Sequence, residues 1–331
     1  MRPFAYASAS TVAEAVHVVD ERCRPVAGGT DLIGLMKRGL IAPERLVSLT
    51  SVDGLTGVEK RESEWYIGAL TTLAELASLA GDRKPAALTP LYQAAAVSAS
   101  PQLRHVATIS GNLMQRPRCW YFRNPQTRCW LKGGDRCLAA AGENRYHAIL
   151  GAGRCRMVHP SDPAVALLAL DARVEVAGRA GNRELQLDRF FDEPRPGTES
   201  ETVLRSDELI TAIRVAHPAP GSRGVYVKIS ERQAWDFALV SAAAVVELAD
   251  GGVRDCRIVL GGVAARPWRA REAEEALREG ELEPRAAAEA VSATTAGAVS
   301  LSQNGYKVHL VEGAVREALS RLRRGSRGLE A

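Results

Sequence analysis

The sequence predicts an α+β fold in two parts, and three observations carry that prediction. Strand and helix patterns alternate through the first third, an antiparallel meander fills much of residues 223–264, and amphipathic helices close the chain. Its 331 residues suffice for two or three subdomains, with the 46% apolar and 25% charged content of an ordinary globular protein. The net charge of +4 comes from arginines dispersed along the chain, which gives no reason to expect nucleic acid. Neither an apolar leader region at the N-terminus nor a stretch of about eighteen apolar residues is present, so no signal peptide or membrane insertion is expected and the default address is cytoplasmic.

In chain order, "TVAEAVHVV" reads as a helix with Thr11 as N-cap and Glu14 three residues on, followed by the short strand "RPVA", the turn "GGTD" and the helix "LIGLMKRGL". "ERLVSLTSV" and "WYIGAL" read as strands, "TLAELASLA" and "LYQAAAVSA" as helices, and "ATISGNLMQ" as a second glycine turn. From 116 to 158 periodicity gives way to Pro, Gly, Arg and Cys, too long a run for an idle loop and so a functional insertion. "DPAVALLAL" resumes as helix, "ARVEVAG" and "ELITAIRVA" as strands around the loop "DEPRPGTES". A boundary in "AHPAPGS" separates residues 1–216 from 217–331. Beyond it come the meander "RGVYVKIS", "FALVSAAAVVELA" and "VRDCRIVLGGVA", with "DGG" between the last two, then three helices and a frayed basic tail from Ser320.

Two features carry chemistry. In "PVAGGTDL" (Pro25, Val26, Ala27, Gly28, Gly29, Thr30, Asp31, Leu32) a strand enters two glycines, whose backbone N–H groups can approach an anion closely. The second turn offers Thr108, Ser110, Gly111 and the amide of Asn112 as donors, and two such turns together suit the two phosphates of a dinucleotide. Neither a Walker loop nor a Rossmann fingerprint occurs; "GAGRCR" lacks the third glycine. The other feature is the quartet Cys119, Cys129, Cys137 and Cys155, in a chain whose thiols are expected to be reduced. Lacking a tight C-x-x-C knuckle, the spacing favours an iron–sulfur cluster, with zinc or no metal as alternatives. Arg116, Arg118, Arg128, Lys132, Arg136, Arg154 and Arg156 are expected to offset thiolate charge, and the amides of Gly133 and Gly134 to donate to sulfur. His147 and His159 lie nearby and read as surface residues or as supports of the ligands rather than as ligands themselves, and Cys23 and Cys256 as small core residues. No catalytic dyad or triad is expected.

The segments "PVAGGTDLIGLMKRG", "ATISGNLMQ", "HPSDPAVALLALDARVE", "VYVKISERQAWDFALVSAAAVV" and "LGGVAARPWR" together resemble the FAD-binding subunit of the xanthine dehydrogenase family of molybdenum hydroxylases. The cysteine insertion resembles that of a narrower branch, the aldehyde oxidoreductase FAD subunits and the 4-hydroxybenzoyl-CoA reductase beta subunit, where it carries a 4Fe-4S cluster. The resemblance implies a two-subdomain FAD-binding fold of the vanillyl-alcohol-oxidase/PCMH type followed by an antiparallel sheet flanked by helices. It implies FAD held by Pro25 to Leu32 and Thr108 to Asn112, with Ser110 standing where glycine is frequent. Asp162, which reads without the resemblance as a helix N-cap, would contact the FAD; Ile210 would make a main-chain contact and Lys228 would lie beside the cofactor. Trp235 and Phe237 would flank the isoalloxazine or else serve the core. The implied partners are a molybdenum-cofactor large subunit and a 2Fe-2S small subunit, and a partner's export signal could carry the complex to the periplasm. The resemblance also implies an oxidoreductase subunit that passes electrons from the 2Fe-2S clusters to FAD and a terminal acceptor, with the reductive enzyme or a zinc-stabilised binding module as alternatives.

Overall fold

The computed structural model describes residues 1–79, 88–151, 153–249, 252–278 and 282–324. The last seven residues of the expected basic tail, and the first two of the expected "DGG" turn, lie outside them.

Three sheets organise the chain. The first is parallel, with β1 (Ala5–Ser8), β2 (Cys23–Val26) and β3 (Arg45–Ser48) in the order β1-β3-β2. Its connecting helix Val12–Val18 starts at the expected Thr11 cap, whose hydroxyl accepts the Glu14 amide. The second sheet is antiparallel, with β4 (Val58–Lys60), β5 (Glu64–Gly68), β6 (Arg173–Gly178), β7 (Gly181–Gln186) and β8 (Glu208–Ala216) in the order β4-β5-β8-β6-β7. Strand β8 lies between β5 and β6, so "ELITAIRVA" is apolar without alternation because both of its faces are covered. The third sheet is the expected meander, β9 (Arg223–Ile229), β10 (Val240–Ala249) and β11 (Gly252–Gly261), with β12 (Trp268–Arg269) on its edge.

Strand β10 explains how the two halves pack. Its Ala243 and Val245 join the core of the second sheet through helices Thr89–Ala96 and Asp162–Ala169, while Val240, Ala242, Ala244 and Val246 face the closing helix Tyr306–Arg324. The period of two thus places alternate side chains in two different cores. Strands β1 and β7 escape the sequence reading because they are short and mostly exposed, without an apolar face to mark them. Among the described residues no helix is long and apolar enough to cross a membrane.

An ionic ladder runs across four strands of the second sheet. Arg173 on β6 stands directly opposite Arg214 on β8, an arrangement that repels by itself. Buried Glu64 on β5 accepts from Arg173 at 2.6 Å and from Arg214 Nε at 2.7 Å, and Glu184 on β7 accepts from the same pair at 2.8 and 2.7 Å. Replacing Glu64 by Ala leaves two arginines face to face without their buried carboxylate, with only Glu184 and the more distant Glu175 remaining. The expected cost is about 2–3 kcal/mol, measured as a lowered urea midpoint at unchanged slope.

Candidate cofactor site

The two glycine turns meet because Gly28 has no side chain. A Cβ there would sit 1.7 Å from the carbonyl oxygen of Val106, so the first turn lies directly on the backbone that leads into the second. Gly29 follows in the left-handed region, at φ +66°. Among the described residues, no acceptor within the chain takes the backbone amides from Ala27 to Leu32. They border a groove of about 230 Å³ that also touches Pro25, Val26, Thr108, Ser110, Gly111 and Ile210. A nest of unpaired amides in a glycine turn is a binding site for phosphate oxygens.

The second turn differs from expectation. It is a short helix, Ile109–Leu113, capped by Thr108, whose hydroxyl accepts the Gly111 amide at 3.2 Å. The Ser110 amide donates to Ala69 and the Asn112 amide to Thr108, so the backbone amides of Ser110, Gly111 and Asn112 are already taken, and the hydroxyls of Thr108 and Ser110 are what this segment offers as donors. Asn112 borders neither cavity described here; its side-chain oxygen accepts the Ser161 hydroxyl. What this segment presents to the groove is the surface of Thr108, Ser110 and Gly111. The groove also touches Arg24, Arg116, Glu199, Ser200, Glu208 and Leu209, which no sequence motif marks. Both arginines are neutralised there, Arg24 by Glu199 and Arg116 by Glu201, so the amides carry the anion-binding capacity.

A second cavity, of about 910 Å³, lies between the insertion, the "HPSD" segment and the β9–β10 loop. Asp162 and Phe237 line it. The N-cap of helix Asp162–Ala169 is Ser161, not Asp162, because the Ser161 hydroxyl takes the Ala164 amide. Asp162 is thereby free to accept Tyr226 Oη at 2.6 Å, Lys228 Nζ at 2.8 Å and Ser98 Oγ at 3.2 Å. Burial, and then the Asp162 charge, push the Tyr226 phenol far above its ordinary value, so it stays a donor. Lys228 also donates to the carbonyls of Val97 and Asp236, fixing the loop that carries Trp235 and Phe237. Phe237 lies under Arg118, 5.0 Å from the ring centre, whereas Trp235 is 64% exposed, adopts φ +53° and does not border the cavity. Neither aromatic is a core residue.

The four cysteines, 36 residues apart at the extremes, line one small apolar pocket with Phe122, Leu131 and Met157. The insertion is not structureless. Cys119, Cys129 and Cys137 each stand at the N-terminal end of a helical turn (Trp120–Arg123, Trp130–Lys132 and Leu138–Ala140), without closing a full capping hydrogen bond. The amides facing sulfur are those of Tyr121 and Phe122 at Cys119, Ala139, Ala140 and Arg156 at Cys137, and Met157 at Cys155. Those of Gly133 and Gly134 instead bond the carbonyls of Trp130 and Cys129. Burial pushes the Cys119 thiol up to about 11. The Cys155 thiol donates to Cys137, drawing Cys137 down to about 6 and raising Cys155 itself. His147, kept neutral by burial, places Nε2 3.2 Å from Cys119 Sγ. His159 packs against Phe191 and lines the large cavity.

The cations expected to offset thiolate charge divide: Lys132 interacts with the charges of Cys129 and Cys119, while two of the arginines pair with carboxylates. Arg116 pairs with Glu201, Arg118 with Asp31, and Lys132 donates to the Asn124 carbonyl, while Arg154 lies over Trp130. Among the described residues no three His, Cys, Asp or Glu side chains converge closely enough to hold a single metal ion. The donor set is nevertheless all sulfur, lined by apolar groups and faced by amides, which suits a soft multi-iron group better than a hard cation. Cys119 borders both this pocket and the large cavity.

Residues 2–218 match the family described as FAD binding domain in molybdopterin dehydrogenase, and residues 225–322 match the CO dehydrogenase flavoprotein C-terminal domain. The chain is 35% identical over 330 residues to the aldehyde oxidoreductase FAD-binding subunit PaoB of Escherichia coli, covering 98% of this chain and 99% of that one. It is 28% identical over 278 residues to the carbon monoxide dehydrogenase medium chain of Afipia carboxidovorans, covering 83% and 79%. Its fold matches that in the reconstituted CO dehydrogenase from Oligotropha carboxidovorans with a TM-score of 0.76 at 25% identity, over 98% of both chains.

Gly28→Ala cannot be accommodated without separating the two turns. The variant is expected to bind dinucleotide at least about tenfold more weakly, ~1.4 kcal/mol, read as dinucleotide released per mole of chain on heating. Gly313→Ala, whose Cβ meets nothing within 4 Å, should match the parent.

Proposed function

Because this chain belongs to the FAD-binding subunits of the molybdenum hydroxylase family, we propose that it is the electron-transfer subunit of an aldehyde oxidoreductase, carrying FAD and a 4Fe-4S cluster. Its partners would be a molybdenum-cofactor large subunit and a 2Fe-2S small subunit, and its role to pass electrons from those clusters to FAD and a terminal acceptor. The similarity to PaoB along nearly the whole chain supports the aldehyde reading. The observation that carries the electron-transfer role is Cys119, shared between the thiol pocket and the cavity beside the dinucleotide groove.

Bound FAD supplies the exchange between one-electron donors and a two-electron acceptor. The protein's part is to bind and orient it. Unpaired amides from Ala27 to Leu32 would take the diphosphate, and the Gly28 contact with Val106 seats their turn on the backbone that leads to Thr108. Asp162 holds Lys228, and Lys228 holds the Asp236 carbonyl, so the rim bearing Phe237 is fixed over the larger cavity. Cys119, Cys129, Cys137 and Cys155 would bind the cluster as thiolates, their charge moderated by the facing amides and the His147 ring. The buried Lys307 donates to the carbonyls of Tyr146 and Gly262, and Asn304 to those of His147 and Ala148, so the C-terminal half braces the insertion.

Purification with its partner subunits tests the reading. One flavin per chain and iron beyond that of the small subunit are expected, and a complex with zinc in place of that iron would refute the cluster. Cys137→Ser should lower iron by about four atoms per complex while the small-subunit EPR signals persist, and flavin should still bind at saturating FAD.

A further inference from the structure

Asp31 joins the groove to the thiol pocket. It precedes helix Leu32–Lys37 but does not cap it. Its Oδ2 instead accepts the Arg116 amide at 2.8 Å, and its Oδ1 accepts Arg123 at 2.8 Å and Arg118 at 3.0 Å. Arg123 closes the arrangement by donating to the carbonyls of Pro117 and Arg116, at 2.7 and 2.8 Å. These bonds hold the backbone on both sides of Cys119 against the last residue of the glycine turn. Asp31 and Arg123 are both mostly buried, so the bonds are little screened, and a charge-assisted pair of this kind fixes geometry as well as contributing energy. An apolar contact runs beside them, since Leu35 lines the groove and also packs in the cluster that holds Cys119, Cys129 and Cys155.

We infer that Asp31 is a positioning residue that couples occupancy of the thiol pocket to dinucleotide affinity, because one carboxylate fixes both the glycine turn and the backbone carrying Cys119. The inference rests on the cluster reading given above. Ordering the cysteines around a cluster orders residues 116–123, and through Asp31 it orders the turn whose amides face the diphosphate. By linkage the effect is reciprocal, so bound dinucleotide also favours retention of the cluster.

The test uses the complex with its partner subunits, stripped of flavin and titrated with FAD by fluorescence quenching, with iron measured on the same samples. Cys137→Ser is expected to weaken FAD binding about tenfold. Asp31→Asn should weaken it by a similar factor, and the double variant should be no weaker than either single one, since the coupling is already broken. Arg118→Gln, which removes one of the three donors from a less buried position, should show the same non-additivity at smaller size and serves if Asp31→Asn fails to assemble. Independent, multiplying effects, or an unchanged FAD affinity in Cys137→Ser after loss of its iron, would overturn the coupling alone. A wild-type complex without the additional iron would overturn the cluster reading, and the coupling with it.

Discussion

The close approach of Gly28 to the Val106 carbonyl is the constraint on which the rest of the site depends. Two segments about eighty residues apart touch backbone to backbone, which leaves no room for any side chain at that point. One of them keeps its amides free of protein acceptors along a groove open to solvent, where an anion's oxygens can take them. The other has its amides satisfied by the Thr108 cap and by the carbonyls of Ala69 and Thr71, and acts as a wall. The arrangement is therefore one nest and one rigid backing, rather than two equivalent clamps.

The allocation of charge follows the same economy. Arginine is abundant around the cysteines, yet Arg116, Arg118 and Arg123 are committed to Glu201 and Asp31 and shape the backbone there. Polarisation of the thiols is shared by backbone amides, the neutral His147 and the charge of Lys132, of which the amides are placed with the least freedom of movement. Large buried cations appear where a loop must be tied to a neighbouring element, as Lys228 does for the Asp236 carbonyl and Lys307 for Gly262.

Local chemistry made a good part of this legible in advance. The Thr11 cap, the "GGTD" turn, the meander and the last two amphipathic helices follow from propensity and period, and they fall where those rules put them. "PWRAREAEEALREG" instead begins with the edge strand Trp268–Arg269 and, among the described residues, is helical only over Arg271–Glu275. The "SGN" segment departs as well, because Thr108 provides a cap that converts a glycine turn into a helix start. Ser161 displaces Asp162 from the capping position by the same local competition, and so releases a carboxylate for Tyr226 and Lys228.

By itself the sequence determined the α+β class, the first glycine turn and the grouping of four cysteines in one insertion, because each is written in consecutive residues and short-range physics. The tertiary structure alone decided which amides stay unpaired, which arginines face carboxylates rather than sulfur, and that Asp31 sits between groove and pocket. Those outcomes depend on partners 66 to 92 residues away, as with Asp162 and Lys228 or Asp31 and Arg123. No pattern in neighbouring residues records a distance that only folding brings down to a hydrogen bond.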